Sequence, residues 1–324
     1  MIPINNQLKD KLNKIPELPG IYKMLDSRGH IIYIGKSKCL KKRVKSYFVS
    51  EPKWEKVKKM VNLIKDIEYT VTDTHLEARL LECKLIKTIK PAFNSQMKND
   101  SRYAYLEIRD YNPYNPLAVV NQRTDQCYGP FRSKHILIKS IDLLKNIYPI
   151  REQDDHYNFQ YHLFPITMDR DCYLINQKLL NDLFNHDQKL DLFIQDLEKE
   201  MQKEASNYRF EAASYYRDLI HGLQYVKAGI NGYRDLFSKN LLLKIPTKDG
   251  VKLFYVTRGN IILDKKYQIL RDQSLRLFIE KGNQLQAKQT EVHLLEKSAI
   301  DYRDIIYSEI NSLPKEMVID LSEL

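Results

Sequence analysis

The chain has 324 residues, 43% of them hydrophobic, which is enough for real cores and long enough for more than one domain. Its formal charge is +10, and residues 1–100 hold 21 Lys and Arg against 11 Asp and Glu, leaving 31 of each for the rest. The whole basic excess therefore lies in the first third, which directs that part toward a polyanion such as nucleic acid. No apolar run nears the roughly 20 residues a membrane span needs. MIPINNQLKDKL lacks the apolar core of a secretory signal. Cys39, Cys83, Cys127 and Cys172 stand too far apart for a CxxC-type zinc site, so the expectation is a cytoplasmic protein with reduced thiols.

In chain order, GIYKML and HIIYIG are β-prone runs joined by the turn-forming DSRG, a hairpin over 20–35. Leu40, Val44 and Tyr47 or Phe48 recur at helical spacing, so 37–48 reads as a helix, and WEKVKKMVNLIKDI at 54–67 as a second. IEYTVT at 67–72 reads as a third strand. THLE at 74–77 has the form of a capping box and opens the helix LEARLLECKLIKTI, which Pro91 closes. The order β-β-α-α-β-α describes a compact α+β unit of about 80 residues. Beyond it, YAYLEI and LAVVN read as strands about an NPYNP turn, SKHILIKSIDLLKNIYPI as a helix, and 151–175 as irregular. Residues 188–226 are strongly helical and charged, with Asn207 marking the turn between two antiparallel helices. Residues 240–268 alternate as a β-meander with two Gly-containing turns. The tail over 270–310 is mixed helix, and PKEMVIDL reads as a short last strand.

Cleaving a phosphodiester requires a base for the nucleophile and positive charge for the phosphorane and leaving oxygens. Tyrosine, with its usual pKa of about 10, is a weak base, but a neighbouring cation favours the phenolate. Tyr22 and Tyr33 on adjacent strands, followed by Lys36 at the start of a helix and Arg43 on roughly the same face, form a plausible constellation of that kind. Singly, each side chain has a plainer use: strand tyrosines pack, basic helix faces are solvated, and Glu82 could be an exposed helix charge.

PGIY, then YIGKSKCLKKRV, then LEARLLECKLIKTIKPAFN resemble the GIY-YIG nuclease domain, and most closely that of the excinuclease UvrC family, over about residues 14–95. The resemblance implies a site of Tyr22, Tyr33, Lys36, Arg43, Glu82 and Asn94. Glu82 would hold one Mg²⁺ or Mn²⁺. Lys36 and Arg43 would stabilise phosphorane charge, and Asn94 would hydrogen-bond near metal or phosphate. Tyr33 or Tyr22 would be the base, with Tyr33 favoured. Lys38, Lys41, Lys42 and Lys45 would touch backbone phosphates of the DNA. YGPF at 128–131 and LIKSIDLLKNIYPIR are similar to the segment that follows the nuclease domain in UvrC proteins. LEKEMQKEASNYRFEAASYYRDLI at 197–220 looks like the UVR hairpin, which implies docking on the damage-loading helicase subunit (UvrB) through a stripe of Phe210, Ala213, Tyr216, Leu219 and Ile220.

The departures carry expectations too. Cys172 stands alone where relatives often have four cysteines, so no iron–sulfur cluster is expected. With Leu324 last, the second nuclease and helix-hairpin-helix motifs of UvrC proteins are expected to be missing, leaving a truncated relative similar to the short homologue called Cho. The expected organisation is α+β: a nuclease domain (1–97) with a small three-stranded antiparallel sheet flanked by helices, an intermediate region (98–186), a helical hairpin (187–228), and a mixed β/α remnant (229–324). The expected activity is the 3′-side incision of damaged double-stranded DNA with the helicase subunit. A solitary structure-specific or mobile-element GIY-YIG nuclease and a non-catalytic adaptor of the helicase stand as alternatives.

Overall fold

The computed structural model describes residues 6–49, 54–124, 127–232, 234–288 and 296–323. They fall into two compact units. Described residues up to Asp100, with those from Leu236 onward apart from Glu296 and Lys297, form the first; the second runs from Ser101 to Asp235.

The first unit opens with α1 (Asn6–Lys14) and an antiparallel sheet of β1 (Gly20–Leu25), β2 (Ile31–Ser37) and β3 (Asp66–Val71) in the order β2-β1-β3. The β1–β2 hairpin closes because Asp26 Oδ1 accepts from the N–H groups of Arg28 and His30 at 2.8 and 2.9 Å. The motif glycines answer to close approaches. A Cβ on Gly35 would lie 2.3 Å from the Tyr22 hydroxyl, and one on Gly20 would lie 2.2 Å from the Thr70 carbonyl oxygen. Gly35 thus makes room for the phenol of the residue paired with it across the hairpin. Helices α2 (Leu40–Val49) and α3 (Glu55–Leu63) bury Leu40, Val44, Phe48 and Met60 in one core with Met24 and Ile67. Helix α4 (His75–Ile89) begins at the capping box the sequence indicates: Thr74 Oγ1 accepts from the Glu77 N–H, and the Glu77 carboxylate accepts from the Thr74 N–H.

The second unit holds a sheet of β4 (Ala104–Ile108), β5 (Leu117–Val120) and β6 (Cys127–Phe131) in the order β5-β4-β6, then α5 (Lys134–Leu144) and a short hairpin, β7 (Arg151–Gln153) and β8 (His156–Asn158). Three helices follow: α6 (Arg170–Asn185), α7 (Asp187–Ser206) and α8 (Phe210–Asn231). The irregular reading of 151–175 misses both the small hairpin and the start of α6. On the buried face of the helix stands a polar residue, Asn176. That amide is satisfied there: Oδ1 accepts from the Ile150 N–H at 2.8 Å, and Nδ2 donates to the Cys172 carbonyl at 3.0 Å.

The α7–α8 hairpin turns at Asn207 as expected, but its stripe requires correction. Tyr216, Leu219 and Ile220 belong to this unit's own core, with Phe193 and Leu197, and Ala213 is buried too. A two-helix piece must cover its apolar face, and here the chain's own α5 does so. Gly222 permits the approach, since a Cβ there would meet Ser140 Oγ at 2.5 Å. Of the five residues, only Phe210 remains outside, 65% exposed.

After α9 (Arg234–Ser238) the meander forms as read, with β9 (Asn240–Thr247), β10 (Gly250–Thr257) and β11 (Asn260–Tyr267). Then come α10 (Asp272–Gln286), α11 (Ile300–Ser312) and β12 (Val318–Asp320), the sheet order being β11-β10-β9-β12. Within the expected helical tail, residues 289–295 lie outside the described residues. This C-terminal segment shares the first compact unit with residues up to Asp100, and α11 packs on α4.

Candidate active site

Three phenols meet beside the sheet. Tyr22 comes from β1, Tyr33 from β2 and Tyr47 from α2, with ring centroids 6.0–6.3 Å apart. The Tyr22 and Tyr47 hydroxyls are 2.9 Å apart and share a hydrogen bond. Sequence reasoning took Tyr47 for a core position of its helix and missed it as part of the cluster. The available signal was its place one turn after Arg43, whose guanidinium lies 4.9 Å from the Tyr47 ring centroid.

Lys36 sits on β2, not at the start of a helix, because the strand continues to Ser37. Its backbone N–H donates to Glu82 Oε1 at 3.1 Å, bringing α4 onto the end of β2. Among the described residues, Glu82 Oε2 makes no hydrogen bond or ion pair. Asn94 is tied to the sheet. It is buried and spends both ends of its amide on Ile34: Oδ1 accepts from the N–H at 3.0 Å, and Nδ2 donates to the carbonyl at 2.9 Å. It clamps β2 one residue from Tyr33, with one bond at each end of its amide.

Electrostatics at the site follow from burial. Desolvation raises Glu82 from its usual 4.5 to about 6, against the lowering effects of the Lys36 ammonium, the Lys36 N–H and the Arg79 charge. Burial also holds Lys36 below its usual value, opposed by Glu82. Burial first, then Tyr33 and Tyr47, pushes Tyr22 well above 10. Burial, Tyr47 and Glu82 push Tyr33 up as well. The expected lowering by a neighbouring cation is therefore outweighed: Arg43 acts in that direction on both phenols but is the weakest influence named. His75, at the first turn of α4, falls to about 4 through burial and the nearby charges of Lys36, Lys38 and Arg79.

Among the four lysines of the basic rim, Lys38 and Lys42 are exposed, Lys41 lies 3.8 Å from Glu17, and Lys45 donates to Asn13 at 3.0 Å. A cavity of about 720 Å³ is lined by Lys38, His75, Lys248 and Glu309 among others. Among the described residues no group of three or more His, Cys, Asp or Glu side chains could hold a metal ion. A hard ion at Glu82 would thus complete its shell with water and phosphate oxygens, the manner in which Mg²⁺ is commonly held. A half-buried carboxylate with one uncommitted oxygen fits that requirement.

Residues 18–95 match the family described as the UvrC-like GIY-YIG domain. This segment is such a domain, and its sheet and helices are the small α+β architecture set out above. The chain that carries it is homologous to UvrABC system protein C over most of its length. It is 31% identical over 291 residues to that protein of Acetivibrio thermocellus, covering 82% of this chain and 46% of the relative. It is 29% identical over 340 residues to that of Caldanaerobacter subterraneus, covering 97% of this chain and 51% of the relative. The chain thus spans about half the length of these relatives. The crystal structure of the GIY-YIG N-terminal endonuclease domain of UvrC from Thermotoga maritima, described as bound to magnesium, is 35% identical, with a TM-score of 0.26, and covers 28% of this chain and 100% of its own.

Proposed function

We propose that this protein is a divalent-metal-dependent DNA endonuclease of nucleotide excision repair, making the 3′-side incision at damaged double-stranded DNA in the cytoplasm. The observation that carries the reading is the convergence of three phenols, Arg43, Lys36 and the half-buried Glu82 with its free Oε2. Glu82 would hold Mg²⁺ or Mn²⁺, and the ion would supply positive charge to the scissile phosphate and to the phenols beside it. Tyr33 is the better candidate for the base. It is only partly buried, whereas Tyr22 is 1% exposed. Arg43, exposed above Tyr47, is placed to meet a phosphate from solvent. Lys38, Lys41, Lys42 and Lys45 would hold the flanking backbone without reading sequence. Asn94 would act by fixing β2.

The helicase subunit would be met by the tip of the α7–α8 hairpin rather than by its buried stripe. Tyr208 and Phe210 are 83% and 65% exposed there, with ring centroids 6.2 Å apart. Burial of that stripe in the chain's own core is also the observation that favours a second reading, a GIY-YIG nuclease working without repair partners.

Lesion-bearing duplex incubated with the loader subunits and Mg²⁺ separates these readings. Wild type should give one nick 3′ to the lesion. Glu82→Ala should give none, and Tyr208→Ala/Phe210→Ala should give a weaker one. Equal cleavage of undamaged DNA without partners would establish the solitary nuclease instead, and a wild type that never cleaves would leave the adaptor.

A further inference from the structure

Among the described residues, three ion pairs join the C-terminal segment to α4. Lys252 of β10 meets Glu77 at 2.9 Å, Glu309 of α11 meets Arg79 at 2.9 Å, and Asp301 of α11 meets Lys87 at 2.7 Å. Along α4 these partners bracket Glu82. The side chains are largely shielded, 17% and 13% exposed for Arg79 and Glu309, so breaking a pair leaves a charge poorly hydrated. Cys83, directly after Glu82, is buried on this side too, and the charge of Asp301 reaches its thiol.

The middle pair stands apart from the other two. Arg79 lies three residues before Glu82, hence on the same face of the helix. Its charge acts on Glu82, on Lys36 and on His75, all members of the same neighbourhood. Glu309 acts on Lys36 as well, and lines the cavity that Lys38 and His75 share. Arg79 is therefore linked to the site on one side and to α11 on the other. Lys87, more than a turn beyond Glu82, has Asp100 as an additional partner at 2.8 Å and is not among the charges acting on Glu82.

We propose that Arg79 and Glu309 form a positioning pair, in which Glu309 anchors Arg79 and so fixes the turn of α4 that presents Glu82 to the end of β2. The C-terminal segment is then a working part of the site. The kinetic consequence rests on the endonuclease reading; the structural consequence does not. Full-length Glu309→Gln, Arg79→Met, their double variant and the exchange Arg79→Glu/Glu309→Arg test the pair, with Lys87→Met as the control ion pair on the same helix. Three quantities are read: amide hydrogen exchange over residues 78–86, Mn²⁺ titration followed by electron paramagnetic resonance, and nicking with kcat and KM separated. Each single variant should weaken Mn²⁺ binding and lower kcat about tenfold, the size expected when a group supporting a metal ligand is lost. KM for DNA should hold, and exchange over 78–86 should quicken. The double variant should be no worse than either single, because the two act as one unit. The charge exchange should restore slow amide exchange, and Lys87→Met should leave Mn²⁺ affinity and kcat unchanged. Wild-type exchange and Mn²⁺ affinity in Glu309→Gln, or single effects that add in the double, would overturn the pair. If wild type never nicks DNA, the endonuclease reading fails, while exchange and Mn²⁺ binding still decide the pair.

Discussion

Replacing Glu82 by glutamine should abolish nicking and at the same time make the protein more stable. The carboxylate is raised from 4.5 to about 6 because burial outweighs the attraction of Lys36 and Arg79. One pKa unit is worth about 1.4 kcal/mol, so keeping Glu82 ionised at pH 8 costs the folded state about 2 kcal/mol. Glutamine has nearly the same shape, carries no charge, and can still accept from the Lys36 N–H through its amide oxygen. The sign is fixed by linkage. The folded state binds this proton more tightly than the unfolded chain, so the wild type is relatively favoured below pH 4.5 and loses that advantage as pH rises through about 6. Thermal unfolding of both proteins in EDTA should give Glu82→Gln an advantage of about 2 kcal/mol at pH 8, or about 4–8 °C for a unit of this size. The gap should shrink to under about 1 kcal/mol at pH 5. Added Mg²⁺ should then stabilise only the wild type, by mass action on the folded state. Equal stability at pH 8, or a gap that does not change with pH, would refute the desolvated carboxylate.

Asn94→Ala removes both hydrogen bonds to Ile34 and strands a buried N–H and C=O, so it should cost about 2–4 kcal/mol in denaturant unfolding; unchanged stability would mean the asparagine is free for phosphate or metal. Tyr33→Phe should lower nicking about 100-fold or more. Tyr22→Phe leaves the Tyr47 hydroxyl without its buried partner and should cost about 1 kcal/mol as well. Leu219→Ala, with its side chain 0% exposed, should destabilise the second unit by about 3 kcal/mol. Phe210→Ala should leave unfolding unchanged and weaken pull-down by the helicase subunit, and equal binding would remove the hairpin tip as the contact.

What was legible in the sequence was local. The hairpin announces itself in DSRG, α4 in THLE, and the C-terminal meander in alternation around two glycines, because each depends on neighbours a few residues away. The tyrosines, Lys36, Arg43 and Glu82 were nameable from their resemblance to a family, and the structure gathers them on adjoining elements. Chemistry that depends on distant partners stayed hidden. Asn94 could be named from the resemblance, but that its amide bonds Ile34 at each end could not. The α8 stripe looks like a docking face until the rest of its own unit is in place around it. On α6 the buried Asn176 finds its partner in Ile150, 26 residues away.

The burial that raises Glu82 also raises Tyr22 and Tyr33, so at neutral pH the pocket favours protonated phenols next to a carboxylate that ionises at some cost. Both preferences penalise negative charge, and positive charge brought to Glu82 would relieve the carboxylate and Tyr33, on which Glu82 acts. On the proposed reading, such a site would be poorly set up for catalysis until a cation arrives, because the packing that forms the core disfavours charge there. Arg43, partly solvated on the open side, does not meet that demand, since it is outweighed at both phenols. Arg79 meets part of it at Glu82 but is bound to Glu309. On the proposed reading the remaining need would be met by a hard, multiply charged ion held at Glu82 and by the substrate's own phosphate oxygens.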